Sequence, residues 1–215
     1  MSMSFSTDDL RKALDRIASE LIGHKDSLTY IDSVTGDGDL GISMEKVAHC
    51  IMHELQTNET SSAAQLLLSC ARQISVHAPS TMGTLMSFAI FEAAKILKDA
   101  PAIDDASMLL IPRKMVEVIM IHGRAQQGDK TVLDALIPYG ETLVSAYVQS
   151  HDIGQAAWEA ACQAERSANA TKGWLAKIGR AKWIGERSRH CPDGGAVVCA
   201  IIANAFISRQ VSIDI

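Results

Sequence analysis

Aromatic residues are scarce in this chain of 215 residues, at 5%, while Ala, Leu, Ile and Met swell a hydrophobic content of 47%. That mixture disfavours a β-sandwich, whose strands draw on aromatic and β-branched residues, and favours packed helices. The five cysteines, Cys50, Cys70, Cys162, Cys191 and Cys199, are scattered with no CxxC pair, which excludes a disulfide framework or a zinc knuckle and fits a reducing cytoplasm. Positive charge is not in excess. A net charge of −5 and a pI near 5.8 argue against a nucleic-acid surface. No 18-residue apolar window occurs and Met1 to Phe5 lack a basic start, so neither a membrane span nor export is expected. The length suits one domain, residues 1–215.

What the chain does have is concentrated acidity. Asp32, Asp37 and Asp39 stand among Gly36, Gly38 and Gly41, in a stretch read as one tight loop from Asp32 to Gly41. Three carboxylates about 5 Å apart repel by about 3 kcal/mol per pair at an effective dielectric of about 20. A hard cation such as Mg²⁺, which prefers carboxylate and phosphate oxygens, offsets that cost. An EF-hand does not fit: counted from Asp37, the fifth position is Gly41 and the twelfth Ala48. A solvated turn or helix cap is the plainer alternative.

Helical stripes cover most of the rest. Ser6 caps a helix carrying Leu10, Leu14, Ile17 and Leu21, and Ile42, Val47, Ile51 and Leu55 form a stripe directly behind the Asp loop. The loop therefore opens a helix, whose free N–H groups and positive dipole end favour phosphate. Further helices are expected after Ser61-Ser62, after Pro79-Ser80 and after Asp104-Asp105 with a kink or step at Pro112. Three more follow: from Thr131 through Pro138, from Ile153 along Ala156, Ala157, Ala160 and Ala164, and from about Gly195 along Val197, Val198, Ile201 and Ile202. About eight helices on short connections imply antiparallel neighbours. Residues 173–194 show no clear stripe and are expected to form a mobile lid.

Gly123…Gly128-Asp129-Lys130-Thr131 imitates a phosphate loop but is one residue too long, and Asp129 would put a carboxylate in the anion nest. An N-cap turn is the simpler reading. The 173–194 stretch carries Lys177, Arg180, Lys182, Arg187 and Arg189 around Trp183, cations suited to neutralising phosphates. Asp193-Gly194-Gly195 then leads into the last helix, a second place where backbone donors meet a helix start.

Taken together, Asp32…Gly36-Asp37-Gly38-Asp39, Gly123…Gly128-Asp129-Lys130-Thr131, Gly179-Arg180-Ala181, Gly185-Glu186-Arg187-Ser188 and Asp193-x-Gly195-Ala196 resemble, in order and approximate spacing, the nucleotide-binding domain of the dihydroxyacetone kinases, whose stand-alone form is the L subunit. The resemblance implies an all-α, antiparallel up-and-down barrel of eight helices with nucleotide at one end. It implies two Mg²⁺ on Asp32, Asp37 and Asp39, and ADP or ATP contacted by Leu40, Gly41, Ser43, Thr81, Met82, Gly83, Gly123, Thr131, Arg180, Asp193, Gly194 and Gly195, with Arg180 the catalytic cation. It also implies a K-type subunit that holds dihydroxyacetone covalently through a histidine, and in one branch a phosphohistidine carrier that recharges the bound nucleotide. A homodimer stays open. Three departures qualify the likeness: Leu40 stands where the family usually has His, Pro79-Ser80-Thr81-Met82-Gly83-Thr84-Leu85 replaces Gly-Gly-x-Ser-Gly-Pro-Leu, and Gly194 replaces a common Pro. They suggest another ketose or sugar-acid substrate, and they leave a nucleotide-sensing regulatory partner as the alternative to an enzyme.

Overall fold

The computed structural model describes residues 5–211 except 61, 99 and 101. Ser61, expected to share a helix cap with Ser62, and the first four residues lie outside the described ones. Among the described residues ten α-helices run in chain order: α1 Thr7–Gly23, α2 Lys25–Thr35, α3 Leu40–Thr57, α4 Ala63–His77, α5 Thr81–Ile96, α6 Asp105–Gly123, α7 Leu133–Ser150, α8 Ile153–Ala170, α9 Gly179–Ile184 and α10 Gly194–Phe206. Among the described residues the only extended pairing is an isolated bridge between Phe5 and Ile103.

Helix starts follow local chemistry. Ser6, Ser62, Ser80, Asp104, Asp152 and Asp193 each accept a hydrogen bond from a first-turn N–H of the following helix, and Ser6 and Asp9 form a reciprocal capping box. α6 and α7 both continue through their prolines; Gly140 leaves room beside Pro112, where a Cβ would stand 3.4 Å from the ring. Apolar stripes then close eight helices into a ring, each packed on the next in the order α1, α3, α4, α5, α6, α7, α8, α10 and back to α1. The core runs through it from Leu14 and Met44 to Leu133 and Ile201. Its apolar side chains line a cavity of about 260 Å³.

Two findings differ from the sequence reading. α2, absent from it, lies across one end of the ring against α3 and α10, so Asp32 occupies the last helical turn of α2 and not a loop. Residues 173–194 are not a bare lid either. They hold α9 and a 3-10 turn, Gly185–Arg189, and Ala176, Ser188 and Cys191 are buried at their stems.

Gly41 sets the contact of α2 with α3: a Cβ there would overlap the Lys25 carbonyl oxygen and the Thr29 hydroxyl. Gly41→Ala is expected to push the helices apart and cost about 1–3 kcal/mol, read as a melting temperature lower by about 2–4 °C per kcal/mol; an unchanged melt would show that the contact yields freely.

Asp193 caps α10 by accepting from the Ala196 N–H at 2.7 Å, and burial pushes its carboxyl up to about 7 against the opposing pull of that N–H and of Lys130. Between its ordinary 3.8 and about 7 the folded chain keeps a proton that the unfolded chain has lost. The contribution to stability is therefore whole below that range and falls as pH rises through it. Asp193→Asn keeps the cap oxygen without titrating. The wild-type melting temperature should fall relative to that of the variant as pH is raised across the range, and a constant difference would refute the shift.

Candidate functional site

Because neighbours in the ring are antiparallel, α3, α5, α7 and α10 all begin at the same end. Their first turns meet around a cleft of about 700 Å³, lined by Leu40 and Ser43 from α3, Thr81 and Met82 from α5, Thr131 and Val132 ahead of α7, and Gly194 and Gly195 from α10. The C-terminal turn of α6 adds Ile119 and Gly123. Unsatisfied N–H groups and the positive ends of four helices thus face one space, an environment that favours an anion.

Acid groups stand at its rim. One carboxylate oxygen each of Asp32, Asp37 and Asp39 lie within 4.8 Å of one another. Asp32 Oδ2 accepts from the N–H groups of Asp39 at 2.9 Å and Leu40 at 3.2 Å, so α2 caps the start of α3 from outside that helix. Asp39, formally the N-cap, makes no such bond with its own side chain. Asp37 and Asp39 remain about half exposed and pair with Arg180, whose Nη1 contacts Asp37 and lies 3.6 Å from Asp39 Oδ2. Three carboxylates sharing a centre beside a guanidinium form a hard-oxygen donor set that fits a divalent cation.

Across the cleft, the loop after α6 is held by carboxylates turned inward. Asp134 accepts from Gly128 N–H at 2.5 Å and Thr131 N–H at 2.6 Å, and Asp129 accepts from Gln126 N–H at 2.9 Å. Asp129 therefore points into the loop, away from any phosphate role, as the sequence argument against a phosphate loop requires. Arg124 takes the left-handed conformation at φ 49°, a place where glycine is the usual residue. It lines the cleft with Lys177, Lys182 and Trp183 from the α9 segment.

Of the residues singled out from sequence, Asp32, Asp37, Asp39, Leu40, Ser43, Thr81, Met82, Gly123, Thr131, Arg180, Asp193, Gly194 and Gly195 all line this cleft. Gly41 and Gly83 do not. They stand behind its wall, where Gly83 gives its N–H to Ser80 Oγ at 3.0 Å and a Cβ would overlap the Ala78 carbonyl oxygen. Two departures from the family pattern meet in space: a Cβ on Gly194 would lie 2.5 Å from Leu40 Cδ2, and one on Gly195 would lie 2.8 Å from Met82 Cε. The bulkier Leu40 is accommodated because residue 194 has no side chain. Sequence reasoning missed Thr35, Ser80, Arg124 and Lys130 as lining residues. Ser80 carried a local signal as a helix cap, and Lys130 stood in the Gly128-Asp129-Lys130-Thr131 motif without being placed at the site.

The family profile described as "DAK2 domain" matches residues 34–208. The chain is 31% identical over 195 residues to L-erythrulose kinase of Pectobacterium atrosepticum, covering 90% of this chain and 33% of that one. It is likewise 31% identical to the triokinase/FMN cyclase of Homo sapiens, covering 90% of this chain and 34% of that one. The chain thus spans about a third of the length of these relatives. The crystal structure of the dihydroxyacetone kinase from C. freundii in complex with AMP-PNP and Mg²⁺ superposes with a TM-score of 0.72 at 19% identity, over 97% of this chain and 35% of that one. The match to the family profile over most of the chain, and the curated relatives beside it, establish that this eight-helix ring belongs to the DAK2 domain family.

Proposed function

We propose that this chain is one nucleotide-binding domain, the L-type subunit of a kinase acting on dihydroxyacetone or a related ketose, which passes the γ-phosphoryl group of bound ATP to a substrate held on a separate K-type subunit and retains ADP. The observation that carries the reading is the meeting of four helix N-termini with three carboxylates in one cleft. Anion and cation sites side by side are what a metal–polyphosphate complex needs. The kinase names of the relatives support it, and so does the AMP-PNP and Mg²⁺ in the C. freundii enzyme's crystal.

In this reading Asp32, Asp37 and Asp39 hold two Mg²⁺, which when bound neutralise charge on the phosphate oxygens. The first turns of α3, α5 and α10, through Leu40, Ser43, Thr81, Met82, Gly194 and Gly195, receive the nucleotide, with Gly123, Thr131 and Asp193 beside it. Gly41 and Gly83 serve indirectly, by letting α3 and α5 sit close. Arg180 turns from the Asp pair toward the transferring group and balances its charge. Lys182 and Trp183 close over it and exclude water.

None of the seven histidines lines the cleft. In this reading the acceptor is presented by the partner, and the work of this chain is positioning and charge stabilisation. A phosphohistidine carrier that recharges the nucleotide in place is the version we favour, in a cytoplasmic setting.

Calorimetry tests the metal-dependent site. ADP should bind with Mg²⁺ and not with EDTA, and Asp37→Ala should weaken Mg·ADP by roughly 1.5–3 kcal/mol, the worth of a lost charged contact. Asp37 is the informative position, since Asp32 also caps α3. Undiminished ADP affinity under chelation would sink the assignment.

Isolated protein given ATP, Mg²⁺ and dihydroxyacetone should form no sugar phosphate until a K-type subunit is added. Turnover by the chain alone would overturn the two-subunit part of the reading.

A further inference from the structure

Lys130 is the only lysine or arginine buried among the described residues, at 3% exposure. Its backbone is left-handed at φ 65°, next but one to Gly128 at φ 87°. An ammonium has three N–H donors and no acceptor. Here Nζ donates to the carbonyl oxygens of Trp174 at 3.2 Å, Ser188 at 2.5 Å and Cys191 at 2.8 Å. With these three bonds made, nothing remains for a phosphate, so Lys130 is no phosphate-loop lysine despite its setting in the sequence.

The three acceptors come from both ends of one excursion. Trp174 stands where the chain leaves the barrel wall after α8; Ser188 and Cys191 stand where it returns to α10, and Arg180 lies between. Neighbouring bonds reinforce the junction: Lys177 N–H donates to the Asp129 carbonyl at 3.1 Å, Ala176 N–H to Ser188 Oγ at 3.2 Å, and Gly173 N–H to the Arg189 carbonyl at 3.0 Å. Beyond it the packing thins: Ile178 still meets the core, but no residue of α9 is buried. Gly179 and Gly185 have positive φ and open space around them, and Trp183 is 87% exposed.

We propose that Lys130 is the positioning residue for Arg180: its ammonium staples both stems of the 174–191 excursion to the loop after α6, leaving the arm between Gly179 and Gly185 as the part that moves. Such a staple limits where Arg180 can travel and keeps it over the Asp cluster it now touches. Burying the charge is costly unless every donor is used. Burial draws the lysine below its ordinary pKa, opposed by the Asp193 carboxylate nearby. A neutral residue of similar length would fill the space at lower cost, so the placement is explained by the three carbonyls it gathers.

The proposal rests on the nucleotide-binding reading only for what Arg180 meets at the end of its travel. Hydrogen exchange on the wild-type protein tests the staple alone. The amides of Gly173, Ala176 and Lys177 should exchange about 100-fold or more slowly than those of residues 180–184; equal rates would overturn it. Lys130→Met, which keeps the length and removes the donors, should raise trypsin cleavage after Arg187 and Arg189 about tenfold or more, and an unchanged pattern would also overturn it. The link to Arg180 is read from Mg·ADP affinity in Lys130→Met, Arg180→Gln and the double variant. Positioning predicts that Lys130→Met loses its effect on affinity once Arg180 is gone, whereas a loss of equal size in both backgrounds means that Lys130 only stabilises the fold. Wild-type protein that binds no Mg·ADP would sink the nucleotide reading, while exchange and proteolysis still decide the staple.

Discussion

An antiparallel ring with an even number of helices must send alternate N-termini to the same end, and everything at the cleft depends on that constraint. α3, α5, α7 and α10 deliver their free N–H groups there. Each helix start contributes only a fraction of a charge, and its field fades within a turn. Four gathered around one cleft make a region in which an anion is solvated by backbone, with no need for a buried cation. Lys130, the one buried cation among the described residues, is used up by carbonyls.

Gathering helix ends creates a problem of space, and glycine solves it where the backbone approach is closest. Gly41 admits α2 onto α3, and that contact is what carries Asp32 to Asp37 and Asp39. Gly194 and Gly195 make room for Leu40 and Met82. Leu40 and Gly194 are therefore one adjustment and not two: the larger residue on α3 occupies the volume that a side chain on α10 would need. The cleft wall so formed is apolar at a point where the family commonly has an imidazole.

Carboxylates do two kinds of work around this cleft, and geometry separates them. Asp129 and Asp134 bind backbone N–H groups of their own loop and fix its shape. Among the described residues the carboxylates of Asp37 and Asp39 accept from no backbone N–H and keep their oxygens for a cation, at present the guanidinium of Arg180. Asp32 does both, because one of its oxygens caps α3 while the carboxylate belongs to the cluster. A single aspartate thus couples the integrity of the barrel rim to the occupancy of the site.

Much of this was legible in the residues alone. Helix stripes, the Ser6, Asp104 and Asp193 starts, and the acidic cluster are encoded within a turn or two of chain, so they can be read without knowing the fold. α2 escaped because it is only eleven residues long with Leu28, Ile31 and Thr35 as its buried positions, too weak a stripe to stand out. The stems of the 173–194 stretch looked mobile because their partners are far off in sequence. The Lys130 ammonium reaches carbonyls 44, 58 and 61 residues away, and nothing local to either end announces the pairing. Sequence by itself determined which segments would form the eight helices of the ring and which residues could carry charge chemistry, since periodicity and capping are short-range. Tertiary structure decided which of the glycines face the cleft and which hold its walls together, and which lysine meets carbonyl in place of phosphate, because those outcomes depend on how closely separate helices approach.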